Sequence, residues 1–102
     1  NHVIRLSITR LKKYYKLAVE QLQAQAKQYG YVIPIEGDVN MEALFYPTSW
    51  RNDYLNLLSA PADALQKAGI LKNDRQIKSS DGSKIVSIDK LNPRTIINIT
   101  LL

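Results

Sequence analysis

The residues of this chain that could do chemistry are carboxylates next to basic side chains. Asp53 follows Arg51 by two positions, and Asp74 directly precedes Arg75, each at the edge of an expected element. Two carboxylates brought together could hold Mg²⁺, an ion that keeps several waters and needs few protein ligands besides a substrate phosphate. An Asp that caps a helix is a commoner feature, and Asp53 fits that role as well. Both interpretations stay open at this point.

Other kinds of catalytic centre have little support. His2 is the one histidine and the chain has no Cys, so neither a His-based triad nor a zinc site is indicated. Zero Cys also excludes disulfides and thiol nucleophiles, and it suits a reducing cell interior. The glycines are too scattered to form a phosphate-binding loop; they are Gly30, Gly37, Gly69 and Gly82.

The size and charge of the chain limit its class. At 102 residues it fits one domain, 1–102, and 45% hydrophobic with 23% charged residues is ordinary for a folded protein. It has neither a secretory signal nor an apolar run of the roughly 20 residues that a membrane span needs, so we expect a soluble protein without a membrane partner. The net charge of +5 favours a polyanionic partner, although a merely solvated basic surface has the same charge.

Two elements are expected in the first half. Apolar residues at helical spacing predict a helix from about Thr9 to Tyr29, followed by the stop signal Gly30. Its apolar stripe comprises Leu11, Tyr15, Ala18, Leu22, Ala26 and Tyr29. The opposite side is basic toward its first half, and a solvated face and a phosphate-contacting face both remain possible. Alternation then predicts a strand over Val39 to Tyr46.

Helical spacing returns from about Asp53 to Ala68, and Gly69 closes the segment. Pro61 either kinks this helix or lies in the first turn of a regular part that Ser59 caps. Strands are expected over 76–79, 84–88 and 95–102, with Asp81-Gly82 as a hairpin signal. The expected fold is α+β, with two helices packed on one face of a small mixed or antiparallel sheet.

A family resemblance appears when the segment from Arg51 to Leu57 is combined with the residues up to Ile77. The sequence Arg51-Asn52-Asp53-Tyr54-Leu55-Asn56-Leu57 precedes Asp63-Ala64-Leu65, Lys67-Ala68-Gly69, Asn73-Asp74 and Gln76-Ile77. This resembles the RusA family of Holliday-junction resolvases, whose pattern is R-x-D-x-D-N-L, then K, D-A-L, A-G, D-D and Q-[IV]. The turn from Asp89 to Arg94, with the alternating Ile97 and Ile99 after it, is similar to the last strand of many members.

The resemblance implies a homodimeric, Mg²⁺-dependent endodeoxyribonuclease that cuts four-way DNA junctions in recombination or repair, often encoded by phages or prophages. It would act in the cytoplasm of a bacterial or phage-infected cell. Of the family's three metal-binding aspartates, Asp53 matches the first and Asp74 the last. The second falls on Leu55, which cannot ligate a metal. The other expected charges are replaced at Asn52, Ser59 and Asn73, although Asn73 offers a neutral oxygen to a metal.

Three hypotheses remain: a working nuclease with a substitute ligand, a lapsed relative that binds junctions without cutting, and a non-enzymatic protein-interaction domain. We expect weak or absent cleavage, because losing a metal ligand commonly costs several kcal/mol of catalysis, on the order of a factor of a thousand. DNA phosphates are expected to contact Arg10, Lys12, Lys13, Lys16, Arg51 and Arg75. Family members place a strand before a residue like Asn1, so we expect a RusA-like sheet that lacks its first strand or is completed by another chain.

Overall fold

The computed structural model describes residues 3–9, 15–50 and 54–102. Within these ranges the expected α+β class is confirmed, with two helices and a five-stranded mixed sheet. The elements, in chain order, are β1 (Val3–Thr9), α1 (Tyr15–Tyr29), β2 (Val39–Tyr46), α2 (Tyr54–Lys67), a 3-10 turn (Asp74–Gln76), β3 (Ile77–Ser79), β4 (Lys84–Ile85) and β5 (Arg94–Leu101).

The sheet is built around β5 and β2. These two strands pair antiparallel over eight residues each, from Val39 opposite Leu101 to Tyr46 opposite Arg94. β1 joins the other side of β5, also antiparallel, and β3 and β4 both lie beside β2 in parallel orientation. β1 is therefore an edge strand, and the opposite edge is formed by two short pieces.

One face of the sheet and one stripe of each helix form the core. Alternate residues of β2 and β5 are buried and the residues between them are half-exposed, which is the period-two pattern of a sheet covered on one side. Both helices therefore lie on one face, as expected. The core cluster includes Leu6, Ile8, Ala18, Leu22, Ala26, Val39, Met41, Ala43, Phe45, Leu57, Ala64, Leu65, Ile97 and Ile99.

The N-terminal strand is a correction to the helix expected from Thr9. Thr9 is the last residue of β1, and residues 10–14 lie outside the described ranges. Leu6 and Ile8 are buried beside β5. The alternation of Ile4, Leu6 and Ile8 with polar residues is the local signal of this strand, and only its last residue overlaps the expected helix. Tyr29, expected on the buried stripe of α1, is 56% exposed.

Pro61 lies inside helix α2. The helix begins at Tyr54 and continues through both Ser59 and Pro61, so Ser59 is not its cap. Pro61 is itself buried in the core. The helix ends at Lys67, and Gly69 follows with a positive φ of 76° that suits glycine. The Ile70 N–H then donates back to the Leu65 carbonyl at 3.0 Å, which completes the helix stop.

The prediction of a hairpin at Asp81-Gly82 is wrong. β3 and β4 each pair with β2 rather than with one another, and both run parallel to it. Between them the Ser83 hydroxyl accepts the Ala43 N–H at 2.9 Å and donates to the Met41 carbonyl at 3.2 Å. β3, the loop and β4 therefore act as one interrupted edge strand, with a side chain filling the gap.

The core supports a direct test with two leucines. Leu65 is fully buried and Leu91 is 99% exposed. Leu65→Ala should lower the free energy of unfolding by about 2–5 kcal/mol, because it leaves a cavity, whereas Leu91→Ala should change it by less than about 0.5 kcal/mol. Urea denaturation followed by circular dichroism measures both values. Equal effects of the two substitutions would contradict this core.

Candidate acidic site and basic surface

The turn that carries Asp74 is held by amide side chains. Asn73 caps the 3-10 turn, and its Oδ1 accepts the Arg75 N–H at 2.8 Å. The Asp74 N–H donates to Oε1 of Gln66, in the last turn of α2, at 2.9 Å. These contacts fix the backbone of Asp74 against the end of α2, while Asp74 itself remains exposed.

Gln76 makes the largest contribution to this arrangement. Its Oε1 accepts the backbone N–H groups of Lys72 and Asn73 at 2.8 and 3.0 Å. Its Nε2 donates to the carbonyls of Ile35 and Gly37, both at 2.8 Å. One side chain thus ties the turn to the segment that enters β2. The spacing Asn73-x-x-Gln76 is that of a capping box, which signals the bond to the Asn73 N–H. The bonds to Ile35 and Gly37 have no signal near Gln76 in the chain.

The first turn of α2 lies at the other end of the helix. Tyr54 packs edge-on against Phe45 near the end of β2, with ring centroids 6.1 Å apart. Leu55, where the family has its second aspartate, is 72% exposed. The remaining motif residues of this region, Arg51, Asn52 and the predicted catalytic Asp53, lie outside the described residues.

The structure does not bring Leu55 and Asp74 together within one chain. Leu55 and Gln66 both belong to α2, eleven positions apart, which corresponds to roughly 16 Å along a helix axis. Asp74 is held at the Gln66 end. Two oxygen ligands of one Mg²⁺ lie within about 4 Å of each other, because each is about 2.1 Å from the ion. A ligand at position 55 and the Asp74 carboxylate of the same chain therefore cannot bind the same ion.

The acidic residues in the described part of the chain are dispersed. This part contains no group of three or more His, Cys, Asp or Glu residues that could bind a metal ion. Asn73, the neutral oxygen proposed as a substitute ligand, already uses Oδ1 to cap the turn. The metal-binding roles of Asp53 and Asp74 remain predictions.

Two of the predicted DNA contacts can be placed. Lys16 is exposed in the first turn of α1, and Arg75 is exposed in the 3-10 turn. Arg10, Lys12, Lys13 and Arg51 lie outside the described residues. Ser59, where the family has a lysine, is exposed on α2. Exposed cations are available to a phosphate backbone, which contributes most non-specific affinity for DNA.

The turn that precedes β5 contains an ion pair that the sequence pattern did not predict. Arg94 Nη1 donates to Asp89 Oδ2 at 2.8 Å, and the guanidinium lies 3.8 Å above the Tyr46 ring centroid. The Asn92 N–H donates to Asp89 Oδ1 at 3.0 Å. This hydrogen bond, with the adjacent Arg94, lowers the pKa of the Asp89 carboxyl. These contacts fix the start of β5, so the turn from Asp89 to Arg94 has a structural role.

Comparison with protein-family models and with curated proteins finds no match to this chain. Of the two described helices, neither is long and apolar enough to cross a membrane.

The role of Gln76 can be tested by stability. Gln76→Ala should lower the free energy of unfolding by about 2–3 kcal/mol, because it removes the partner of four backbone groups at once. Gln76→Glu should also destabilise, since a carboxylate accepts the two N–H groups but cannot donate to the two carbonyls. The control is Gln28→Ala, at an exposed position of α1, with an expected change below about 0.5 kcal/mol. Chemical denaturation measures all three. A loss for Gln76→Ala no larger than that of the control would exclude the role.

Proposed function

We propose that this chain is a RusA-like Holliday-junction endodeoxyribonuclease domain that binds branched DNA in recombination or repair and whose cleavage is weak or lost. The observation that carries the proposal is a division within the motif. Its structural residues occupy positions that need them, whereas the expected charge is absent at Leu55, Ser59 and Asn73 and is kept at Asp74. A chain that kept the scaffold and lost part of the charged set fits a binding role better than a cutting one.

The structural part of the motif can be followed residue by residue. Ala64, Leu65 and Ala68 are buried under the sheet, and Gly69 has the positive φ of a helix stop. Gln76 holds the turn through four hydrogen bonds. These residue types are the ones that the fold requires, so their spacing supports a shared scaffold.

The chemical part is depleted in the same region. Leu55 and Asn73 stand where the family has aspartates, and Ser59 stands where it has a lysine. A carboxylate ligand neutralises part of the charge of the ion and fixes its geometry. Neither Leu55 nor Ser59 can do this, and the oxygen of Asn73 caps a turn. Mg²⁺ would therefore be bound weakly or not at all.

The proposed partner is a four-way junction, bound by a homodimer. A junction has two-fold symmetry, and a symmetric dimer presents the same surface to both halves. Lys16 and Arg75, with Arg10, Lys12, Lys13 and Arg51, would contact phosphates rather than base edges. The net charge of +5 supports an anionic partner of this kind. The bacterial or phage-infected cytoplasm is part of the same proposal.

A second candidate is a protein-interaction domain on the same scaffold. Trp50 and Leu55, just before and within the first turn of α2, are 65% and 72% exposed. Exposed large apolar residues are typical of protein contacts, and tryptophan is enriched where such contacts are strongest. This candidate predicts no preference for junctions over plain duplex.

Binding is tested with a labelled four-way junction and a duplex of the same arm sequence. The junction should bind more tightly, with two chains per junction. Its affinity should fall by at least about a thousandfold between 50 and 200 mM salt, the loss that about six phosphate contacts produce, because the six named residues of two chains would make up to twelve. Lys16→Gln removes one contact from each chain of the dimer, so it should reduce the steepness of that salt dependence by about two contacts. Lys27→Gln, at the opposite end of α1, is the matched control and should leave it unchanged. Equal binding to both DNAs, or affinity insensitive to salt, would exclude the proposal.

The lost acidic group is tested by Leu55→Asp. This change should tighten Mn²⁺ binding and create or raise junction cleavage in Mg²⁺ or Mn²⁺, in full only together with Ser59→Lys one turn along the same helix, because charged groups that act as a unit are non-additive. Calorimetry with Mn²⁺ and a gel assay of the junction measure the two effects.

Two control variants show which aspartate binds the metal ion. Asp53→Asn in the Leu55→Asp background should remove any gain in Mn²⁺ affinity. Asp74→Asn in the same background should leave Mn²⁺ affinity of the isolated chain unchanged, because about 16 Å of helix separates Leu55 from Gln66, which holds the Asp74 backbone. A restored protein that binds junctions yet neither binds metal nor cuts would exclude Asp53 as part of a metal centre.

A further inference from the structure

The outer edge of β1 is occupied by side chains. Ser7 N–H donates to Gln25 Oε1 at 2.8 Å, and Gln25 Nε2 donates to the Ser7 carbonyl at 2.6 Å. Two residues along, Thr9 N–H donates to Gln21 Oε1 at 2.9 Å, and Gln21 Nε2 donates to the Thr9 carbonyl at 3.4 Å. Each glutamine thus satisfies both backbone groups of one strand residue, as a neighbouring strand would.

The series continues at Arg5 with a different residue type. Arg5 N–H donates to the Tyr31 hydroxyl at 3.3 Å, and that hydroxyl donates to the Arg5 carbonyl at 3.4 Å. Tyr29, one helical turn after Gln25, packs against Tyr31 with ring centroids 5.6 Å apart. Arg5, Ser7 and Thr9, whose backbone N–H and C=O groups point away from β5, therefore have both groups bonded to side chains.

The spacing explains why a helix can do this. Four residues of α-helix rise about 6 Å, and two residues of an extended strand rise about 6.7 Å. Gln21 and Gln25, four positions apart on α1, therefore reach strand residues two positions apart. The register runs antiparallel, since the earlier glutamine bonds the later strand residue.

We propose that Gln21, Gln25 and Tyr31, here called the side-chain ladder, close β1 against strand addition by a second copy of this chain. An unpaired edge strand is a template for intermolecular pairing. β1 has the sequence VIRLSIT, with one charge and no proline, so it carries little other protection. A strand could join this edge only after all three side chains had left it.

The ladder acts mainly by occupying the edge. Its hydrogen bonds are exposed to solvent, so each contributes little to stability. The proposal also bears on the homodimer put forward above, although it does not depend on it: a dimer of this chain is not formed through β1. The proposal also predicts that another chain does not complete the sheet at this edge.

The test removes the ladder in the whole chain with Gln21→Ala, Gln25→Ala and Tyr31→Phe combined. The variant should keep its circular dichroism spectrum. Its mass in sedimentation should rise above that of the parent chain as concentration increases, and amide exchange at Ser7 and Thr9 should accelerate more than tenfold at low concentration. The control is Glu20→Ala with Gln28→Ala, two exposed positions of α1, which should leave mass and exchange unchanged.

A rescue makes the result specific to β1. Adding Ser7→Pro should return the mass to the parental value, because proline has no N–H for an incoming strand and the Ser7 N–H faces Gln25 rather than β5. The proposal is overturned if the folded ladder variant keeps the parental mass, or if Ser7→Pro leaves the added association unchanged. Should the triple variant unfold, Gln25→Ala alone is judged by the same exchange and mass measurements.

Discussion

The pairing of β5 with β2 is the interaction on which the rest of the structure depends. Eight residues of each strand lie in register without a break, and every other strand attaches to this pair. Their inward side chains, such as Ala43, Phe45 and Ile97, form the floor on which both helices pack. Because side chains alternate along a strand, a slip of one residue would turn this apolar set toward solvent. The core thus fixes the register, and the register fixes where the connecting turns lie.

A sheet this small leaves many backbone groups without a strand partner, and polar side chains take their place. Gln21 and Gln25 bond the edge of β1, Ser83 bridges the gap between β3 and β4, and Gln76 bonds four backbone groups around the turn. Uncharged amides suit this task because one group both donates and accepts. The same residues would be assigned to a solvated surface from sequence alone, since their partners are more than ten positions away in most cases.

The difference between local and distant constraints decides how much of the fold is predictable. β2 is predicted at its observed bounds, because alternation over eight residues is a local property. The stop of α2 before Gly69 and the burial of Leu65 are local as well. The parallel pairing of β3 and β4 is missed because it depends on which distant strand is adjacent. β1 is missed although its residues also alternate, since a seven-residue alternation is a weaker signal than the long helical pattern that follows it. Asp81-Gly82 indicates a turn correctly but its pairing wrongly, since both pieces pair with β2.

The geometry of the candidate site is also not predictable from the local sequence. A linear motif places Leu55 and Asp74 nineteen positions apart but does not state that most of a helix lies between them. The helix separates the two positions, so the substitutions at Leu55 and Asn73 fall in two regions that do not contact each other through one ion. One local change in packing cannot account for both. The absence of the expected charge at separate places, beside buried motif residues that remain, therefore supports the proposed role of a domain that binds without cutting.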